Sequence, residues 1–352
     1  MASRLRDLIV FSLIGLVGFL TVLFTAYPLA AQEAAASFYA GKRLTLYVGY
    51  APGGGFDINA RLVGRHLSAF IPGNPQIIVM NKPGAGGMVL ANHLYNIAKP
   101  NGLEIGTVGR TGPLSELLGR PGIHFNAREF TWIGSPSSTV SALFIRADLG
   151  IKTIADLKAA SRKVIFSGLR PDATNVTVPR FFAEYFGWPI QAIPGYRGTG
   201  QMLMALERKE GDAIWNNIES VMGNRPDLLK DGFLIPIMQT GPYFPGVPKL
   251  SEVIDMPPGV VVATYNFLSS PELWGVSLAG PPGMPKERLK VLRQAFISMA
   301  RSEAFAKDAK RLGMSGVPLS GEEVEKLIRK VFEQVKANPE VIQIVKRLST
   351  GK

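Results

Sequence analysis

The chain has no cysteine and only three histidines in 352 residues. Without cysteine there is no disulfide framework, no thiolate metal site, no cysteine nucleophile and no lipid-anchored cysteine. His66, His93 and His124 lie 27 and 31 residues apart, so no pair has metal-ligand spacing. Only 19% of residues are charged, and the 46% that are hydrophobic suit a globular chain with a real core. Three catalytic or cofactor signatures are also missing. GxGxxG fails because Ile58 and Val89 stand where a third glycine would be needed, and neither a G-x-x-x-x-G-K-[ST] nor a G-x-S-x-G run occurs. No set of Ser, His and acid and no carboxylate pair points to a hydrolase. What the chain has in excess is positive charge, +12 net, which favours anionic partners. No basic–aromatic stripe accompanies that charge, so nucleic acid is not expected as a partner.

One long apolar run opens the chain. Arg4 and Arg6 precede an uncharged stretch from Leu8 to Phe24, followed by small residues in Pro28-Leu29-Ala30-Ala31 and Ala34-Ala35-Ala36. Charged, apolar, small is the order of an export signal, with cleavage expected after Ala31 or slightly later. Segment 1–31 is therefore set apart from the fold. No later run approaches the roughly 18 apolar residues of a membrane span.

Beyond it, 38 glycines and 26 prolines punctuate short apolar runs. Arg43–Tyr50 reads as a strand, Ala51-Pro52-Gly53-Gly54-Gly55-Phe56-Asp57 as a loop, and the spacing of Ile58, Leu62, Val63, Leu67 and Phe70 as a helix with Asp57 as its N-cap. Gln76–Met80 is a second strand, leading through Asn81-Lys82-Pro83-Gly84-Ala85-Gly86-Gly87 into a helix through Leu90 and Leu94. Strands over Leu103–Val108, Thr131–Gly134, Val164–Ser167, Gln191–Ile193, Asp212–Trp215 and Leu234–Gln239 alternate with helices over Thr153–Ser161, Val178–Phe186 and Met202–Arg208. That alternation predicts parallel sheets covered on both faces. Leu289, Leu292, Phe296 and Met299 predict a helix, and Ser320-Gly321-Glu322-Glu323 is a capping box for another.

A strand, a glycine loop and a helix start gather backbone N–H groups and a helix dipole around one point, which suits an anion. Lacking the nucleotide fingerprint, the Gly53-Gly54-Gly55 loop suits a smaller anion such as a carboxylate. Polar loops follow other strands: Ser167 with Arg170, Thr174 and Asn175; Tyr196-Arg197-Gly198-Thr199; and Asn216-Asn217. In open α/β sheets ligands bind beyond the carboxyl ends of strands, so these loops converge on one cleft.

The runs Val48-Gly49-Tyr50-Ala51-Pro52-Gly53-Gly54-Gly55-Phe56-Asp57 and Asn81-Lys82-Pro83-Gly84-Ala85-Gly86-Gly87 resemble the substrate-binding proteins of tripartite tricarboxylate transporters, the Bug family. The likeness continues through Pro194-Gly195-Tyr196-Arg197-Gly198, Gly211–Asn217 and Ala279–Pro285. The resemblance implies a periplasmic, two-lobed binding protein of α/β class with its ligand cleft between the lobes, closing on a small carboxylate and serving a membrane permease. It implies Tyr50, Gly53, Gly54, Gly55 and Asp57 from the first loop, and Gly84, Ala85 and Gly86 from the second. Ser167, Thr174, Tyr196, Arg197, Gly198 and Asn217 would face them. This sequence departs from the family's pattern at Asn216, often acidic, at Arg110, often small and polar, and in the loop Arg170 to Asn175.

The expected organisation is one discontinuous lobe, 38–141 plus 256–352, and a second lobe, 142–255, with the C-terminal helices returning to the first. No cofactor, metal or catalysis is expected, and the chain is read as a monomer. Arg110, Arg170 and Arg197 in cleft-facing loops, with neutral Asn216, favour a di- or aromatic carboxylate over an amino acid, whose ammonium needs an acidic partner. The alternatives are a sensory ligand-binding subunit and an exported enzyme.

Overall fold

The computed structural model describes residues 36–241, 243–312, 314 and 316–351, so the expected export signal over 1–31 lies outside the described residues. The strands are β1 (Arg43–Val48), β2 (Gln76–Asn81), β3 (Glu104–Thr107), β4 (Thr131–Ser135), β5 (Ser141–Arg146), β6 (Val164–Gly168), β7 (Ile190–Pro194), β8 (Ala213–Asn217), β9 (Leu234–Gln239), β10 (Leu278–Gly280) and β11 (Leu319–Ser320). They form two sheets, in the orders β11-β4-β10-β3-β1-β2 and β7-β6-β8-β5-β9.

Alternation along β1 explains its place. Leu44, Leu46 and Val48 are fully buried, while the strand runs parallel to both β2 and β3. The helix Gly55–Leu67 covers it with Ala60, Leu62, Val63 and Leu67. Ile58, assigned to that face by spacing, is exposed instead. The helix starts three residues earlier than the sequence suggests, with extended Gly54 as N-cap. Asp57 therefore is not the cap. It sits in the first turn, where its carboxylate accepts the Gly53 N–H at 2.9 Å.

The sheets are mixed, not parallel as the alternation of strands and helices predicts. β5 runs antiparallel to β8 and β9, and β10 antiparallel to β3 and β4. Both are strands by which the chain enters a sheet from the other one, so they arrive from the opposite end. The segment Ser135–Ser141 makes the first passage. The second runs through the helix Val260–Trp274.

The helices Lys286–Ala300 and Gly321–Ala337 lie against β4. The last helix, Glu340–Thr350, instead packs on the helix Thr174–Phe186, which covers β7 and β8 of the second sheet. Among the described residues no helix is long and apolar enough to cross a membrane.

The capping box forms as its spacing predicts. Ser320 Oγ accepts the Glu323 N–H, and the Glu323 carboxylate accepts the Ser320 N–H at 2.7 Å. Ser320→Ala should cost about 1 kcal/mol of stability, read as a lower denaturant midpoint with unchanged slope.

Candidate functional site

Register brings the carboxyl ends of the strands together. Val48 pairs with both Asn81 and Thr107 in the first sheet, and Gly168 pairs with Pro194 in the second. The loops beyond these ends face each other across a cavity of about 700 Å³. That volume lies within the roughly 300–1,000 Å³ of small-molecule sites.

Asn81 ties the first two loops. Its Nδ2 donates to the Tyr50 carbonyl at 3.0 Å and to Asp57 Oδ1 at 2.8 Å. Burial of Asp57 opposes its charge, yet the Arg61 guanidinium, the Gly53 amide and Asn81 together hold its carboxyl below the usual range. Asp57 thus builds the loop from behind. The Tyr50 hydroxyl donates to the Gly86 carbonyl at 2.9 Å, and its ring stacks on Phe56 at 4.0 Å. The Arg110 guanidinium lies 5.6 Å from the Phe56 ring centre. Burial raises the Tyr50 phenol pKa against the opposing charges of Arg110 and Arg170.

Arg110, in the loop after β3, is held by β8 and by both passages between the sheets. It donates to Asn217 Oδ1 at 2.9 Å and to Thr139 Oγ1 at 3.2 Å, while its carbonyl accepts the Trp274 indole N–H at 3.0 Å. Arg170 reaches across the cleft: a Cβ added at Gly86, whose φ is +66°, would lie 2.6 Å from its guanidinium. Asp172 sits between two arginines, 3.4 Å from Arg170 on its own loop and 2.9 Å from Arg120 on the opposite side.

Of the residues singled out in the sequence, Tyr50, Gly86, Arg110, Thr174, Tyr196, Arg197 and Asn217 line the cavity. Gly53, Gly54 and Gly55 are exposed beside it, and Gly84, Ala85, Asp57 and Gly198 do not line it. Ser167 is buried under the loop with Oγ turned toward Gly211, where an added Cβ would meet it at 2.3 Å. Asn175 lines the cavity but spends its side chain locally, accepting the Leu169 N–H at 3.1 Å and donating to Met202 Sδ at 3.7 Å. Phe56, Thr111, Leu169, Ala173 and Gly195 also line the cavity. Of these, Phe56 had a signal: it is the aromatic that ends the first glycine loop.

The lining residues include three arginines and no acidic side chain. Asn216 is bonded to protein neighbours, donating to Thr199 Oγ1 of the adjacent loop at 3.1 Å and accepting the Asn217 N–H at 3.0 Å. Among the described residues no cluster of His, Asp or Glu could hold a metal ion.

Residues 63–346 match the family model described as tripartite tricarboxylate transporter family receptor. A UPF0065 protein of Bordetella pertussis is 24% identical over 323 residues, covering 90% of this chain and 94% of the relative. Two solved structures share the fold. The R. palustris protein Rpa4515 with adipate superposes with a TM-score of 0.65 at 19% identity, covering 87% of this chain and 97% of its own. MatC from Rhodopseudomonas palustris with bound malate gives a TM-score of 0.58 at 17% identity, over 85% of this chain and 99% of its own. The chain belongs to the tripartite tricarboxylate transporter receptor family, whose members are periplasmic solute-binding proteins of the TctC and Bug type.

Proposed function

We propose that this chain captures a small di- or aromatic carboxylate in the cleft and delivers it, without chemical change, to a tripartite tricarboxylate-type permease. The carrying observation is charge: Arg110, Arg170 and Arg197 line the cavity and no carboxylate does. An arginine fork binds a carboxylate bidentately, and a cleft that excludes water strengthens the contact. The ammonium of an amino acid would meet three cations there and no carboxylate. The Tyr50–Phe56 stack adds an aromatic wall that favours apolar or aromatic ligand bodies. Adipate and malate, bound by two proteins of the same fold, fall in this class.

The lobes of this reading are 38–141 with 256–352, and 142–255, with the ligand bridging them. The permease recognises the closed form of a monomer exported through the segment 1–31. The glycine loops at Gly53–Gly55 and Gly84–Gly86 supply backbone N–H groups to one carboxylate as the lobes close.

Calorimetry with adipate, malate, an aromatic carboxylate and glutamate tests the proposal. The first three should release or absorb heat with saturation, and glutamate should bind far more weakly. Arg197→Gln should weaken adipate more than a monocarboxylate of equal length. Tight glutamate binding with no response to the others would overturn the ligand class.

A further inference from the structure

Glu272 lies near the end of the helix Val260–Trp274 and is buried, with 7% of its surface exposed. It is the only charged side chain in that helix. Its position joins both passages between the sheets. Its carbonyl accepts the Thr139 N–H at 2.9 Å, and its carboxylate accepts the Ser141 hydroxyl at 2.6 Å. Ser141 Oγ in turn accepts Asn217 Nδ2 at 3.1 Å, and Asn217 Oδ1 accepts Arg110 at 2.9 Å. Every donor in this series points toward Glu272. The series therefore fixes the Asn217 amide with its oxygen toward Arg110, which it could not do if the amide were reversed.

The groups facing this carboxyl are few. The hydroxyls of Ser141 and Thr240 bond it, Arg110 from the loop after β3 and Glu219 from the helix Ile218–Asn224 act on it through space, and Tyr265 faces it from its own helix. No ion pair reaches it among the described residues. Its charge is therefore balanced chiefly by Arg110, the cation aimed into the cleft.

We infer that Glu272 is a positioning residue that holds Arg110 for the ligand through Ser141 and Asn217, and that it takes up a proton from solvent when an anion occupies the cleft. The second part rests on the carboxylate-capture reading. A ligand carboxylate paired with Arg110 cancels the positive field that favours ionised Glu272. In a buried setting that field is weakly screened, so its loss shifts the carboxyl toward the neutral form.

The test follows the Asn217 side-chain amide by two-dimensional NMR against pH. Without ligand, its signals should titrate in the neutral range in the wild type and stay flat in Glu272→Gln. Ser141→Ala should move the midpoint upward, because a hydroxyl that stabilises the charged form is gone. Adipate should raise the wild-type midpoint by about one unit and bind about fivefold tighter at pH 6.5 than at pH 8.5. Glu272→Gln, locked in the neutral form, should bind adipate at pH 8.5 more tightly than the wild type and equally at both pH values. A flat wild-type profile, or a titration that persists in Glu272→Gln, overturns the positioning role. Cleft signals that respond to adipate while the midpoint stays fixed overturn the proton uptake. If neither adipate nor malate moves any cleft signal, the carboxylate-capture reading falls and the proton uptake with it, while the ligand-free titration still decides whether Glu272 positions Asn217.

Discussion

Glu272→Gln should stabilise the protein by about 3 kcal/mol at pH 8 and by close to nothing at pH 4. Burial pushes the Glu272 carboxyl up to about 7 from an ordinary value of 4.5, against hydrogen bonds from Ser141 and Thr240 and the charge of Arg110, with Glu219 adding to the rise. The sign follows from which state binds the proton more tightly. Below the unfolded value both states are protonated, and the site costs nothing. As pH rises toward 7 the unfolded chain releases its proton while the folded one retains it, so stability falls. Above 7 the folded protein carries a buried charge and the full cost. Glutamine has the same shape and never ionises. Denaturant unfolding of both proteins from pH 4 to 8 measures the difference, and equal curves across the range would refute a strained carboxyl.

Arg110→Met should weaken adipate binding roughly a hundredfold, because loss of one partner in a desolvated charge pair costs about 2–5 kcal/mol. Methionine keeps an unbranched apolar stem of similar reach, while the fork and its contact with the Phe56 ring are lost. Arg110→Lys keeps the charge but cannot donate to Asn217, Thr139 and a ligand together in the same plane, and it should fall between the two. Isothermal calorimetry at pH 8 checks both. Affinity within threefold of wild type in Arg110→Met would mean that Arg170 and Arg197 suffice.

Much of this site was legible because strand ends are. An apolar run followed by glycine or by a polar cluster marks the point where a strand delivers its loop; that rule named Arg110, Thr174, Tyr196, Arg197 and Asn217, and the family resemblance named Tyr50 and Gly86, all of which line the cavity. The rule was blind to side-chain direction. Ser167 and Asp57 occupy the right loops, yet one turns under the sheet and the other inward to hold Gly53 and Asn81. The capping box at Ser320 was legible because its partners are three residues apart.

The mixed sheet order was not legible, because β5, β10 and β11 find their partners far along the chain and their local pattern carries no direction. The helix Val260–Trp274 hides for another reason. It opens on three valines, contains Pro271, and forms because tertiary packing outweighs weak helix propensity. Its one sequence clue was a lone acid in an apolar stretch, which is how Glu272 could have been noticed.

The last helix has a consequence for what capture demands of the ligand. Arg180 donates to the Leu348 carbonyl at 2.7 Å and to the Ser349 carbonyl at 3.1 Å, and Arg347 pairs with Glu184. The chain thus spans the two sheets a third time, after Ser135–Ser141 and Val260–Trp274. Three straps restrict the relative rotation of the halves more than two would. If the cleft shuts on its ligand as proposed, less orientational freedom then remains to be surrendered, so a small ligand with few contacts would still be held firmly. Removing residues 340–350 should loosen this economy of motion, at the expense of capture and not of the contacts themselves.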